Sequence, residues 1–176
     1  PPFGDIAGNW AYAYIAELYA DGIVHGYPDG TFRPNAKLTR AEFATLLVHA
    51  LKPPAASGTP SFKDTAGHWA AKAIAEARAS GIVKGFADQT FRPDEYLTRE
   101  QMIAMAVRAF RPRDESVGAS RTFTDRAEIS AWAEEYIRTA VRLRWVSGYA
   151  DGRLMPHRPA TRAEAAVMVL RLMRAT

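Results

Sequence analysis

A chain of 176 residues carrying a net charge of +4 is long enough for one compact domain or for several small units that share a core. Its 48% apolar content argues against wholesale disorder. No apolar run approaches the ~20 residues of a membrane helix, and the absence of cysteine excludes disulfides and thiolate metal sites. The positive charge favours an anionic partner, such as nucleic acid, anionic lipid or an acidic polysaccharide. It is spread without a Lys/Arg block, and the interleaving of basic and aromatic residues that nucleic-acid binding predicts is missing. The opening PPFGDIAGNW has neither the basic start nor the apolar stretch of a signal peptide, as expected of a mature or excised fragment.

In chain order, Asp5 stands just before Trp10, where an amphipathic helix is predicted to start. Ile15, Leu18 and Tyr19 share its apolar face, and Gly22 suits its C-terminal cap. A turn follows at Pro28-Asp29-Gly30, because Asp bonds its own backbone and Gly takes positive φ without strain. Thr31-Phe32 reads as a short extended segment. A second helix opens at Thr39 with Glu42 three residues on, a capping box. Its apolar stripe is Phe43, Leu46, Leu47, Ala50 and Leu51.

After a Pro/Gly/Ser-rich linker (53–61) the pattern returns with Asp64, Trp69, Gly85, Thr98 and Gln101, and with Thr90-Phe91 as its extended segment. After a second linker (112–121) it returns again with Asp125, Trp132, Gly148, Thr161 and Glu164. The tryptophans are spaced by 59 and 63 residues, and Gly26, Gly85 and Gly148 keep the same offsets. The third copy has two extra residues within DRAEISAW. Gln89 replaces the turn glycine in copy two, so that turn is either strained or of another type. Arg144 stands where Gly22 and Gly81 end the first helix, so the third helix end is expected to differ.

Three equivalent apolar stripes predict a central three-helix bundle. The fold expected is all-α with short extended loop segments, built from three helix-loop-helix repeats at 1–52, 62–111 and 122–176. Each is too small to bury its faces alone, so the three fold as one cooperative unit.

Capping explains the repeated Thr and Glu but not Arg40, Arg99 and Arg162 between them. A cation at a helix N-terminus opposes the macrodipole. Either each Arg pairs with a carboxylate such as Asp5, Asp64 or Asp125, or it completes an anion site beside free helix amides. Trp10, Trp69 and Trp132 read either as core anchors or as flat walls for a sugar ring. The three aspartates serve either as helix caps or as acceptors for sugar hydroxyls. Gly26, Gly85 and Gly148 either permit a turn or let backbone approach a ligand closely. His25, His49, His68 and His157 occupy unmatched positions, so no repeated metal site is expected. No calcium loop, phosphate loop or nucleophile elbow occurs, and nothing points to a paired-carboxylate hydrolase.

The aspartate before each tryptophan, GIVHGYPDGTFRPN, GIVKGFADQTFRPD, and the trio LTRAE, LTREQ and ATRAE together resemble the S-layer homology family, three domains in tandem from Asp5 to about Met173. The resemblance implies a pseudo-threefold spindle with the second helices at its centre. It implies non-catalytic, non-covalent anchoring of exported proteins to the bacterial cell wall or S-layer, outside the cell. The implied partner is a secondary cell wall polysaccharide, often bearing pyruvate ketals on N-acetylmannosamine, held in grooves between repeats. Arg40, Arg99 and Arg162 would then take the anion, the three tryptophans would pack on sugar, the three aspartates would bond its polar groups, and the three glycines would shape the groove. No cofactor, no metal, no nucleic acid and no membrane insertion are expected, and the implied form is a monomeric pseudo-trimer. Copy three has Met155 where Arg33 and Arg92 stand, so its groove is expected to be the weakest or empty. Two alternatives remain: a protein–protein module for surface-layer self-assembly, and a glycan-active enzyme that brings two carboxylates, of the Asp5 and Glu42 types, to one pocket.

Overall fold

Thr39, Thr98 and Thr161 each lie in extended backbone, and each side chain accepts a hydrogen bond from the amide three residues on, at 3.1, 3.3 and 3.1 Å. Glu42, Gln101 and Glu164 return the bond to the threonine amides at 3.0, 2.9 and 3.2 Å. All three capping boxes are therefore complete, and each starts a helix whose apolar stripe is buried or half-buried against the core. The computed structural model describes residues 1–58, 60–112 and 121–175, so the core of the second linker lies outside the described residues.

Six α-helices follow in order: α1 Tyr12–Ala20, α2 Arg40–Leu51, α3 Ala71–Ala79, α4 Arg99–Phe110, α5 Glu134–Arg142 and α6 Arg162–Arg174. Two 3-10 turns, Arg126–Glu128 and Ala131–Ala133, lead into α5. The second helices α2, α4 and α6 touch one another. Around them α3 packs on α2, α5 on α4, and α1 on α6. Each first helix thus covers the second helix of the preceding unit, and α1 closes the circle. No unit buries its own pair of helices, which is why the apolar stripes need one another.

Among the described residues no strand forms. The bridges that do form lie a few residues beyond the extended segments expected at Thr31-Phe32 and Thr90-Phe91, as isolated pairs Lys37–Thr161, Thr39–Tyr96 and Thr98–Pro159. There the amides form a closed triangle: Leu38 donates to Ala160, Ala160 to Leu97 and Leu97 to Leu38, each at 2.9 Å. The apolar side chains at these positions are buried at the centre, so three loops satisfy one another's backbone where water cannot.

One local expectation is corrected and one alternative is decided. Arg144 takes φ +61°, close to the +72° of Gly22 and Gly81. Its amide donates to Val141 and that of Trp145 to Ala140, reproducing the bonds of Gly22 to Tyr19 and Ile23 to Leu18. The third helix end is therefore the same turn, held left-handed by the burial of Trp145 behind it, at a steric cost of about 1–2 kcal/mol. Gln89 likewise takes φ +66° against +80° at Gly30, so the second turn is the same type with strain.

Candidate functional site

The first-turn amides of α2, α4 and α6 are not open to a ligand. Arg40 donates its amide to Glu95, Arg99 to Arg158 and Arg162 to Ala36, and the next amide in each case goes to Pro93, Pro156 or Pro34. The third is taken by the capping threonine. The expected anion site made from free helix amides is therefore absent, because the loops of the neighbouring unit already satisfy them.

The arginine side chains follow one rule. Nε of Arg40, Arg99 and Arg162 donates to the carbonyls of Phe91, Leu154 and Phe32 at 2.8, 2.8 and 2.9 Å. The guanidiniums lie over Phe86 and Phe91, over Tyr149, and over Tyr27 and Phe32, at 4.5 to 4.8 Å from the ring centres. Arg99 Nη1 pairs with Glu164, and Arg162 Nη1 with Glu42 at 2.5 Å. The partner is the capping-box glutamate of another unit, not Asp5, Asp64 or Asp125.

Those aspartates do other work. Asp5 accepts the amides of Phe32 and Arg33 at 2.8 and 2.7 Å, and Asp64 those of Phe91 and Arg92, both at 2.8 Å. Asp125 accepts Leu154 and Met155 at 2.9 and 2.8 Å. Burial pushes the Asp5 and Asp64 carboxyls up, but the paired amides outweigh it and hold both below the usual carboxylate value. The aspartates fix the loops rather than cap α1, α3 or α5.

A similar account applies to the glycines. A Cβ on Gly26 would lie 2.2 Å from the ring of Phe3 and 2.7 Å from the Thr31 carbonyl oxygen; at Gly85 the values are 2.3 Å to Phe62 and 2.5 Å to Thr90. At Gly148 the ring is that of Phe123, at 2.6 Å. The close approach that needs glycine is made by the protein's own chain.

Trp10, Trp69 and Trp132 are 61%, 66% and 51% exposed, so none is a core anchor. The buried tryptophan is Trp145, at 2%. Trp69 stands on the wall of a groove of about 830 Å³ whose other walls include Gly26, Tyr27, Glu42 and Arg162. This groove collects a glycine from the first copy, a tryptophan from the second and an arginine from the third. Residues grouped by copy in the sequence are dealt out among different sites: Arg40, for example, lies against Lys84 and Phe91 of the second unit. The groove also holds His25 and His49, with rings edge to face at 5.7 Å.

Sequence reasoning missed the Arg–Glu pairs, the hydroxyls of Tyr27 and Tyr149 that donate to Glu42 and Glu164 at 3.3 and 3.2 Å, and the anchoring phenylalanines. The signals were present. Phe3, Phe62 and Phe123 each precede an aspartate by two residues, and Tyr27 and Glu42 recur as Tyr149 and Glu164 but change together to Phe86 and Gln101. Among the described residues no cluster of His, Asp or Glu suits a metal ion, and no helix is long and apolar enough to cross a membrane.

This arrangement belongs to a defined class of repeat module. The family model of the S-layer homology domain matches residues 2–44, 61–103 and 122–166, and the chain is a member of that family. It is 35% identical to an endoglucanase of a Bacillus species over 98% of its own length, covering 19% of that enzyme. It is 33% identical to S-layer protein EA1 of Bacillus anthracis, over 95% of the chain and 19% of that protein. It is 39% identical to a cellulosome-anchoring protein of Acetivibrio thermocellus, over 75% of the chain and 30% of that protein. The chain thus spans less than a third of each of these relatives.

Proposed function

We propose that this chain anchors an exported protein by binding an anionic secondary cell wall polysaccharide, pyruvylated on N-acetylmannosamine, in the grooves where its three repeats meet. Membership in the S-layer homology family carries the coarser part: an extracellular module associated with the bacterial cell wall. Relatives named as S-layer and cellulosome-anchoring proteins support it. The cyclic packing of the helices fits the pseudo-threefold spindle that the family implies.

One observation carries the glycan reading: an open groove lined by both the exposed Trp69 and Arg162. An aromatic wall packs on the apolar face of a sugar, and a planar guanidinium suits a ketal carboxylate. Arg40, Arg99 and Arg162 take the anion, and Trp10, Trp69 and Trp132 take the ring. Asp5, Asp64 and Asp125 act through the loops they hold, and Gly26, Gly85 and Gly148 through the turns they allow. The module carries no chemistry of its own, and several grooves on one body bind a repetitive polymer with added avidity.

The test is co-sedimentation with wall sacculi before and after extraction of the secondary polysaccharide. The chain is expected to pellet only with unextracted walls. Pelleting with both would place recognition on peptidoglycan. Pelleting with neither, together with self-association, would favour a self-assembly module.

A further inference from the structure

The three Arg–Glu contacts would make a cycle, but one link is missing. Arg99 holds Glu164 and Arg162 holds Glu42; the same position opposite Arg40 is Gln101. Among the described residues Arg40 forms no ion pair. Its Nε and Nη2 donate to Phe91 and Lys84, and Nη1, the arm that holds a carboxylate in the other two arginines, has no hydrogen-bond partner among the described residues.

The amide of Gln101 does not replace the carboxylate. Its Oε1 accepts the Thr98 amide at 2.9 Å, as Glu42 Oε1 accepts that of Thr39. A backbone N–H needs an oxygen, so the remaining arm of Gln101 is the Nε2 donor. Where Glu42 and Glu164 present a second oxygen to arginine, Gln101 therefore presents hydrogens. The tyrosine hydroxyl that donates to that oxygen in the other units is also gone, because Phe86 stands in place of Tyr27 and Tyr149. Acceptor and matching donor have been removed together, which leaves Arg40 Nη1 without the carboxylate that its counterparts hold.

Two histidine positions of the first unit are cations here, although Glu95 and Asp64 also act on Arg40. Lys84 takes the position of His25, and Arg108 that of His49. Burial lowers the Arg40 pKa first; Arg92 and Arg108 lower it further, against the opposing pull of Glu95 and Asp64. An arginine that is half-buried, desolvated and without a resident counter-ion gains more from an incoming anion than one already paired.

We infer that Arg40, with Gln101 at the matching cap position, makes the principal carboxylate site of the module, in which a ligand carboxylate oxygen takes the place that a glutamate Oε2 fills opposite Arg99 and Arg162. The other two grooves carry an internal carboxylate that a ligand must displace. Gln101 and Phe86 are thus the residues that decide which groove binds first. This rests on the proposed glycan reading and sharpens it to one groove.

The test uses the methyl glycoside of pyruvylated N-acetylmannosamine, and the same sugar without the ketal, in calorimetric titrations of the wild-type chain, Gln101→Glu, Arg40→Ala and Arg162→Ala. Glutamate is the residue already used at this cap twice, so Gln101→Glu is expected to fold, and it completes the third pair with a raised Tm. Gln101→Glu and Arg40→Ala are each expected to weaken binding of the pyruvylated sugar at least tenfold, and Arg162→Ala less than threefold. Glu42→Gln combined with Tyr27→Phe is expected to add a second tight site. Wild-type preference for the pyruvylated sugar with no loss in Gln101→Glu would overturn this inference and leave the glycan reading standing. Equal affinity of the wild type for both sugars would overturn both.

Discussion

The ring of loops at the centre repeats three times nearly unchanged, whereas the lead-in to the first helix is built differently in each unit. At the centre, Leu38, Leu97 and Ala160 exchange backbone bonds in a triangle, and every second helix starts on the same capping box. At the rim, Asn9 Oδ1 accepts the Ala11 amide in the first unit, and His68 Nδ1 accepts that of Ala70 in the second while its Nε2 meets Asp94 at 2.8 Å. The third unit spends its two extra residues on 3-10 turns, and Ser130 there is held by Glu100, which is only 3% exposed. A backbone triangle admits one geometry, so its three corners cannot vary independently. A lead-in touches fewer partners and tolerates several solutions, so long as each leaves its tryptophan outward.

Leu97→Ala cuts into the centre. The side chain is fully buried, and the loss is expected to be about 2–5 kcal/mol. Because each unit leans on the next, unfolding should remain one transition at a lower Tm. A scan showing two separate transitions would mean that the units are independent.

Glu100→Ala acts at the rim. It releases the Ser130 amide and hydroxyl, bonded at 3.0 and 2.5 Å, and leaves the alanine found at Ala41 and Ala163. The expected cost is about 1–3 kcal/mol. Hydrogen exchange should rise around the third lead-in and stay unchanged at the centre; a rise at Leu38 or Leu97 would couple the two regions after all.

The smallest effect is one of pH. Asp5 and Asp64 have folded values below their unfolded ones, so their contribution is present above the unfolded aspartate range and is lost as pH falls through the folded values. Asp64→Asn should flatten the acid limb of the stability curve. The limb should not vanish, because Asp29, Asp88 and Asp151 are also held low, chiefly by turn hydrogen bonds. An unchanged acid limb would mean that the loop amides do not carry the effect.

The centre was the legible part. A capping box is read from residues three apart, and an apolar stripe from helical spacing, so the second helices and their bundle followed from local pattern. Which first helix covers which stripe did not, because periodicity shows that a face is apolar and not what it meets. The partners of Arg99 and Arg162 lie far along the chain, and in a sequence Glu42 and Glu164 already had a full explanation as caps. The tryptophans were ambiguous for a related reason: an aromatic at a helix start reads the same whether it points inward or out. Gln89 and Arg144 were hard to place because both take a left-handed backbone that their side chains disfavour, Arg144 ahead of the buried Trp145 and Gln89 in a turn whose carbonyl accepts the Lys63 amide.

The most direct measurement is titration calorimetry of this chain against purified secondary wall polysaccharide, native and with its pyruvate removed. The account predicts binding to the native polymer and a loss of at least tenfold once the ketals are gone. Equal affinity for the two polymers would contradict it, and would return the three arginines to a purely structural role.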